Sequence, residues 1–455
     1  MSTTEQRRGK NVPTISTVLP TGEIIETIFD PDKQITRFVV WSDGASHFLD
    51  DLTISDDRCL VPYSPSNNLI QTGVLLLPSE PEEYGSEETL LKTIRSYLHR
   101  YVDVDPLFEQ ITSYYILLSW VYDGFNELPY LRVRGEPGSG KTRFLQIVGS
   151  LCYKPIFASG ASSISPIFRI LDATKGTLVI DESDFRMSDE KAEMVKILNN
   201  GNVKGFPVLR SEVIAVTKEV NPRAFHVFGP KIVATRGPFQ DRALESRFLS
   251  ETMGHRRLRE DIPINLPDSY KEEALHLRNQ LLLFRFRTLN LRLPLPELVD
   301  RSIEPRLNQI FVPLLSIIQD PSARKELAEL ARSYSEEMVS ARGQEVEADV
   351  LGIIQNLWKS TDEPVSVKSI AAAFVERHGS EYERSITPKW IGHIIRNKLG
   401  LRTLKTHGVF IIPTSEKAKL DRLFERYGIP PCTTSQSPEV HPPASSPPEN
   451  IPLDT

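Results

Sequence analysis

Hydrophobic and polar residues follow different patterns along the chain, and each pattern predicts a different kind of structure. Over residues 14–78, Ile, Val, Thr and Phe dominate between turns that contain glycine and proline, which predicts a small β-rich module within residues 1–80. Apolar residues then recur at helical spacing over residues 86–101 and 105–121. Two helices should therefore lead into the middle of the chain.

The middle of the chain alternates between short, largely apolar runs and amphipathic helical segments. The runs lie at residues 131–134, 178–181 and 231–235. Runs of this kind are typical of parallel strands that helices cover on both faces. The sequence therefore predicts an α/β core over residues 86–260, and the next residues, 261–344, should form a helical lid and connector.

The last part of the chain changes character. Residues 345–427 predict three amphipathic helices, over residues 350–358, 367–378 and 387–399, and then a strand over residues 409–412, the order that is typical of a winged helix. Residues 428–455 are rich in proline and poor in apolar residues, so we expect a disordered tail.

Composition and charge restrict the possible classes of protein. The 455 residues are too many for one core, and a net charge of −6 means that any DNA-binding surface must be local. Cys59, Cys152 and Cys432 lack CxxC spacing, which argues against a disulfide framework or a zinc site. The longest apolar stretch, residues 114–121, is too short to span a bilayer. We therefore expect a cytoplasmic protein without a membrane anchor.

A phosphate-binding loop stands between a predicted strand and a predicted helix. It matches the pattern G-x-x-x-x-G-K-[ST], and its residues are Gly135, Glu136, Pro137, Gly138, Ser139, Gly140, Lys141 and Thr142. The glycines let backbone N–H groups turn towards phosphate oxygens, and the helix start adds its positive dipole end. Lys141 should reach the β- and γ-phosphates, and the Thr142 hydroxyl should ligate Mg²⁺. The expected ligands are ATP and Mg²⁺.

Two carboxylates follow the apolar run at residues 178–180. Asp181 and Glu182 would stand at the carboxyl end of a buried strand, where parallel sheets bind their ligands. Alone, this pattern also fits a strand that simply ends in solvent. Beside a phosphate loop, Asp181 should hold the Mg²⁺ shell and Glu182 should orient or deprotonate the attacking water.

Basic residues are concentrated in two regions. Between residues 201 and 228, apolar residues alternate with cations that include Lys204 and Arg210, which suggests hairpin strands that contact DNA phosphates or a solvated edge. Towards the carboxyl end, the third helix and the hairpin of the predicted winged helix carry Lys389, Arg396, Lys398, Arg402 and Lys405. This asymmetry favours a DNA-facing surface over one used only for protein contacts.

Four motifs in a fixed order, GEPGSGKT, LVIDES, KIVAT and ALESRF, resemble those of the AAA+ ATPases that bacterial mobile elements and phages encode, which are similar to MCM-type helicases. The resemblance covers roughly residues 86–427 and implies an AAA+ P-loop core with a helical lid and a winged helix. It also implies that Thr235 is a polar sensor, Arg247 an arginine finger and Arg306 a lid sensor. Each arginine could instead be an ordinary surface charge.

The sequence therefore favours an ATP-dependent DNA helicase or translocase, a hexameric ring that serves the replication of a mobile element. The phosphate loop, Asp181 and Glu182 would come from one protomer and Arg247 from the next. The alternative is a nucleotide-gated DNA-binding initiator or regulator that does not unwind DNA. A P-loop kinase fits less well, because Glu182 and an arginine finger suit attack by water.

Overall fold

The computed structural model describes residues 10–55, 58–181, 189–213, 220–239, 241–255, 257–291, 295–343, 345–360, 364–379, 386–406 and 408–430. The chain divides into two compact units, residues 1–332 and 333–455. Of the predicted tail, all but the first three residues lie outside the described part. None of the described helices has the length and apolar character needed to cross a membrane.

Strands and helices are numbered here in chain order. The strands are β1 Lys10–Thr14, β2 Ser16–Val18, β3 Ile24–Asp30, β4 Ile35–Ser42, β5 Ala45–Leu49, β6 Leu52–Ser55, β7 Arg58–Pro62, β8 Tyr130–Arg134, β9 Ile156–Ser159, β10 Leu178–Asp181, β11 Val208–Val213, β12 Val220–Phe225, β13 Lys231–Thr235, β14 Phe248–Thr252, β15 Val365–Ser366, β16 Leu404–Thr406 and β17 Val409–Ile412. The helices are α1 Asn68–Gln71, α2 Glu87–Tyr101, α3 Pro106–Trp120, α4 Lys141–Leu151, α5 Ile164–Thr174, α6 Asp189–Asn200, α7 Arg242–Glu245, α8 Ser269–Thr288, α9 Pro305–Ile317, α10 Pro321–Gly343, α11 Val346–Ser360, α12 Val367–His378, α13 Pro388–His393 and α14 Lys417–Arg426.

The amino-terminal strands form two small sheets. Strands β2 to β5 make an antiparallel meander, and β1, β7 and β6 make a second sheet in which β1 runs parallel to β7. Their apolar residues meet in a core of Ile25, Phe38, Val40 and Leu60. Beside this core, the buried Glu26 pairs with the buried Lys154, which lies in the loop before β9. The β-rich part is therefore joined to the rest of the first unit by charge as well as by packing.

Five parallel strands form the central sheet of the first unit, in the order β14-β8-β13-β10-β9. Strand β13 is buried along its whole length, and β8 and β10 are buried up to their last residue, which fits the Leu, Val and Ile residues at their centres. Because these strands run the same way, their carboxyl ends meet at one edge. The strand order reverses beside β8, and open α/β sheets bind ligands in the crevice at such a point.

Helices α2, α3, α4 and α8 pack together on the central sheet, and α9 packs against α3. Helix α8 lies in the region that the sequence predicts to be a lid. It carries two buried arginines, Arg278 and Arg285, which donate hydrogen bonds to the backbone oxygens of Ser150 and Trp120. Part of the predicted lid region is therefore anchored in the core of the first unit.

A lysine is buried at the start of β13. The Nζ atom of Lys231 donates hydrogen bonds to the backbone oxygens of Val227, Gly229 and Gly201 at 2.8, 3.0 and 3.2 Å. It also lies 4.9 Å from the centre of the Tyr130 ring. Burial lowers the pKa of Lys231 to about 7, because the charged form loses its hydration there.

The free energy of unfolding of the first unit should therefore rise with pH between about pH 7 and about pH 10. An unfolded lysine has a pKa near 10.4, so in this window the unfolded chain binds more protons than the folded one. Replacing Lys231 by Met should remove this contribution. Urea unfolding of the unmodified protein and of Lys231→Met across this pH window measures the contribution of Lys231. The difference between their free energies of unfolding should change steadily with pH. Lys154, whose pKa burial lowers to about 8, titrates in both proteins and cancels in the difference. A constant difference would contradict the assignment.

The second unit contains the helices α11, α12, α13 and α14 and a small antiparallel sheet in the order β15-β17-β16. The predicted helix over residues 367–378 coincides with α12. Helix α13 continues into a π-helical turn, Ile394–Lys398. Side chains from all these helices and from the sheet share one apolar core, which includes Val350, Phe374, Ile391, Ile412 and Leu420.

Candidate active site

The phosphate loop connects the end of β8 to the start of α4, as the sequence predicts. Gly138 and Gly140 have φ values of +84° and +95°, a backbone conformation that side chains disfavour. A Cβ atom on Gly135 would lie 2.7 Å from both the Met253 backbone oxygen and the Ser139 hydroxyl. Glycine is therefore required at these points by the curl of the loop and by its close contact with the segment after β14.

Lys141 lies at the first position of α4, and its side chain is buried. Its Nζ atom donates hydrogen bonds to the backbone oxygens of Gly135 and Glu136 at 2.7 and 2.8 Å. Burial lowers the pKa of Lys141, whereas the nearby Asp181 carboxylate opposes this effect. The ammonium group is thus fixed inside the curl, where it can exchange backbone oxygens for more strongly bound phosphate oxygens.

The loop and strand β10 meet through two side chains. The Thr142 hydroxyl donates a hydrogen bond to Asp181 Oδ2 at 2.8 Å. Strand β13 lies between β8 and β10 and ends at the buried Thr235, whose hydroxyl donates to the Gly237 backbone oxygen at 2.9 Å. The backbone oxygen of Thr235 accepts from the Gly135 N–H at 3.2 Å. The candidate catalytic residue Glu182 lies outside the described residues.

A cleft of about 910 Å³ opens beside the loop. The loop, residues 135–140, forms one wall, and Tyr101, Asp103 and Arg143 are among the other residues that line it. Leu258 and Ile264 also line the cleft, although 44% and 76% of their surfaces are exposed. The motifs give no sign of these wall residues, because they come from segments far apart in the sequence.

The residues present fit a nucleotide with Mg²⁺. The Ser139 hydroxyl oxygen is shielded from solvent and finds no hydrogen-bond partner within the described part of the chain. Such a group suits a ligand that brings an oxygen acceptor. The Thr142 hydroxyl and the Asp181 carboxylate are hard oxygen ligands of the kind that Mg²⁺ prefers. Backbone N–H groups at the start of α4 suit an anion.

Arg247 and Arg306 lie together, and neither is among the residues that line the cleft. Arg247 donates a hydrogen bond to the side-chain oxygen of Asn199, at the end of α6. Arg306 Nη1 donates to the Ala243 backbone oxygen and the Ser246 hydroxyl at 3.1 and 2.9 Å. The resemblance implies that Arg306 is a lid sensor, and in the structure it contacts the segment that carries Arg247.

A buried ion pair fixes this segment to the sheet. Arg132 of β8 is almost fully buried and donates two hydrogen bonds to the Glu245 carboxylate, and its Nε atom donates to the Ser250 hydroxyl at 3.0 Å. Its guanidinium group also lies 4.8 Å from the centre of the Phe248 ring. Helix α7, which precedes Arg247, is therefore rigidly attached to the strand that leads into the phosphate loop.

The predicted DNA contacts fall into two groups. Lys204 Nζ donates to the Asp123 backbone oxygen at 2.6 Å, and Arg210 pairs with Glu193 at 3.0 Å, so both cations of the first unit have partners within the chain. In the second unit all five predicted contacts are exposed, and they are Lys389, Arg396, Lys398, Arg402 and Lys405. The guanidinium carbon of Arg396 lies 5.6 Å from the centre of the exposed Phe410 ring. The Nζ atom of Lys398 lies 3.9 Å from Oε1 of Glu347.

Comparisons with known proteins give distant likenesses. No protein-family model and no curated protein matches the sequence. Among solved structures, an apo form of the C-terminal region of NrS-1 is 11% identical with a TM-score of 0.35, covering 85% of this chain and 96% of that one. An inhibitor-bound JCV helicase is 12% identical with a TM-score of 0.22, covering 56% and 62%. A point mutant of Thermotoga maritima RuvB is 12% identical with a TM-score of 0.24, covering 70% and 96%. All three of these structures are less than 15% identical to this chain and have TM-scores below 0.5.

Proposed function

We propose that this protein is an oligomeric ATPase that moves on DNA, a helicase or translocase in the replication of a mobile genetic element. The contact between Thr142 and Asp181, at 2.8 Å beside the curled phosphate loop, is the observation that carries the proposal. It brings together a hydroxyl from the turn between β8 and α4 and a carboxylate from the end of β10, two strands away in the sheet. This is the pairing needed to hold the magnesium ion of a nucleoside triphosphate.

Each part of the site has a distinct role in this proposal. The loop N–H groups and Lys141 bind the phosphates, and Thr142 and Asp181 hold Mg²⁺, which neutralises charge on the phosphate oxygens. Glu182, next along the chain from Asp181, orients the attacking water and accepts its proton. Thr235 supports the loop through the Gly135 N–H. The apolar surfaces of Leu258 and Ile264 in the cleft suit the face of a nucleobase.

The location of the two arginines supports an oligomer. Arg247 donates a hydrogen bond to the end of α6, and Arg306 donates to the segment that carries Arg247, rather than to the phosphate loop, so we infer that both act on the nucleotide of a neighbouring protomer. A guanidinium group is always charged and binds phosphate oxygens through two parallel hydrogen bonds. A closed ring, such as a hexamer, gives every site such a neighbour.

DNA is the proposed track because five exposed basic side chains of the second unit lie within 17 consecutive residues, on α13, on the π-helical turn, in the loop after it and on β16: Lys389, Arg396, Lys398, Arg402 and Lys405. Each cation that pairs with a phosphate releases a counterion, so several of them give substantial affinity without sequence specificity. Helices α11 to α13 followed by a hairpin have the order of a winged helix, which supports this assignment.

The test compares ATP hydrolysis with and without single-stranded DNA and measures displacement of a labelled strand from a forked duplex. We expect DNA to raise turnover, and ATP to be required for displacement. The Arg402→Ala, Lys405→Ala double variant should keep its basal turnover but bind DNA about tenfold more weakly, with a salt slope smaller by about two. Hydrolysis without displacement, together with tight binding to one duplex sequence, would instead identify a nucleotide-gated initiator.

A further inference from the structure

Asn199, near the end of helix α6, holds the side chain of Arg247. The guanidinium group of Arg247 donates to Oδ1 of Asn199, and Nδ2 of the same carboxamide donates to Asp241 Oδ2 at 2.9 Å. Asp241 accepts hydrogen bonds from the N–H groups of Ala243 and Leu244 at 2.8 and 3.3 Å and so caps helix α7. The carboxamide therefore bridges the arginine and the cap of the helix that precedes it.

The backbone of Arg247 is fixed independently of Asn199. Its N–H donates to the Leu244 backbone oxygen at 3.0 Å, and its backbone oxygen accepts from the Tyr130 N–H at 2.9 Å. The end of α6 is fixed as well, because the Tyr130 hydroxyl donates to the Leu198 backbone oxygen at 2.8 Å. Removing the carboxamide of Asn199 should therefore release the guanidinium group and leave the backbone around it in place.

The chemistry of the bridge requires an amide. Its oxygen accepts from a guanidinium group while its nitrogen donates to a carboxylate, and an asparagine side chain can do both at once. A carboxylate at this position would face Asp241 with like charge. An apolar side chain would leave the guanidinium group without this acceptor.

We propose that Asn199 is a positioning residue that aims Arg247 at the nucleotide bound by the neighbouring protomer. The proposal rests on the oligomeric ATPase described above. The side-chain hydrogen bonds of Asn199 go to Arg247 and Asp241, whereas the phosphate-loop lysine, Lys141, donates to Gly135 and Glu136. Its effect should therefore fall on the rate of hydrolysis in the next protomer and spare ATP binding in its own.

The experiment measures steady-state ATP hydrolysis by the full-length protein. Asn199→Ala should lower kcat by roughly tenfold to a hundredfold, because a misplaced catalytic group loses about that much, and should leave the KM for ATP within about twofold. Asn199→Leu, which keeps the volume of the side chain, should also lower kcat and leave the KM for ATP nearly unchanged. It serves as the test if the alanine variant folds poorly. Asn200→Ala, the same deletion one residue later, is the matched control and should keep its kcat.

Two further measurements separate positioning from a general structural effect. In the Arg247→Ala background, Asn199→Ala should cause no further loss, because the group it aims is gone. Mixing Asn199→Ala with Lys141→Ala should raise turnover above the sum of the two, because Lys141→Ala protomers supply a correctly held Arg247 to intact loops.

Several outcomes would overturn the proposal. Three results would show that Asn199 acts through the fold of its own chain. They are a further loss of kcat from Asn199→Ala in the Arg247→Ala background, a rise in the KM for ATP alongside the fall in kcat, and a mixture with Lys141→Ala that is no more active than the sum of the two proteins. Normal kcat in Asn199→Ala, with Arg247→Ala inactive, would overturn this inference alone. Normal turnover by Arg247→Ala itself would overturn the proposed subunit-shared site and this inference with it.

Discussion

Replacing Arg247 by alanine is expected to lower ATP turnover by about 10³-fold or more, with little change in the affinity for ATP. Its side chain donates a hydrogen bond to Asn199, whereas Lys141 donates to the backbone oxygens of Gly135 and Glu136, so the substitution should leave the phosphate loop and Lys141 intact. What disappears is a charged planar group that would stabilise the transition state at the neighbouring nucleotide. Phosphate release measures turnover, and titration with a fluorescent ATP analogue measures affinity.

The matched variant Arg247→Lys keeps the positive charge but lacks the planar fork of N–H groups. We therefore still expect ATP turnover to fall by about 10²-fold. Mixing Arg247→Ala with Lys141→Ala should restore part of the turnover, because each supplies the half of a site that the other lacks. Two results would show that Arg247 acts at the nucleotide of its own chain. One is a large loss of ATP affinity in Arg247→Ala, and the other is a mixture of Arg247→Ala and Lys141→Ala that is no more active than the two proteins alone.

Much of the candidate site could be predicted because its determinants are local. The phosphate loop depends on glycines, a lysine and a threonine within eight consecutive residues, and the strand before it and the helix after it have clear apolar patterns. The contact between Thr142 and Asp181 follows from one further rule, that parallel strands end at a common edge. Several helix bounds also follow from spacing and capping residues, as for α12.

The rest of the site depends on contacts between distant segments, which no local pattern encodes. Arg132 and Glu245 are 113 positions apart, and Arg247 and Asn199 are 48 apart. Charge in a sequence gives the sign of a residue and not its partner. The charges of Lys204 and Arg210 suggest DNA contacts, and only the structure shows that the first donates to a backbone oxygen of its own chain and the second to Glu193.

Replacing Glu26 by alanine is expected to lower the free energy of unfolding of the first unit by about 3–5 kcal/mol, because it would leave buried cations without their counter-charge. Glu26 of β3 is 1% exposed. Its carboxylate lies 2.8 Å from both Lys154 Nζ and Arg285 Nε and accepts a hydrogen bond from the Tyr153 hydroxyl at 2.6 Å. Urea denaturation followed by tryptophan fluorescence measures the loss.

The same charge set predicts its own partial repair. Arg285 keeps a second carboxylate, Asp123, at 2.7 Å, so Lys154 is the cation that depends most on Glu26. Combining Glu26→Gln with Lys154→Met should therefore recover at least half of the stability that Glu26→Gln loses alone, since the glutamine can still accept from Arg285. The control is Glu23→Ala, in the turn before β3. Among the described side chains, Glu23 accepts a hydrogen bond only from the exposed Thr21, so its replacement should lower the free energy of unfolding by less than about 0.5 kcal/mol. If Glu26→Ala cost no more than this control, the N-terminal sheets would be held to the core by apolar packing, and the charges would be incidental to that junction.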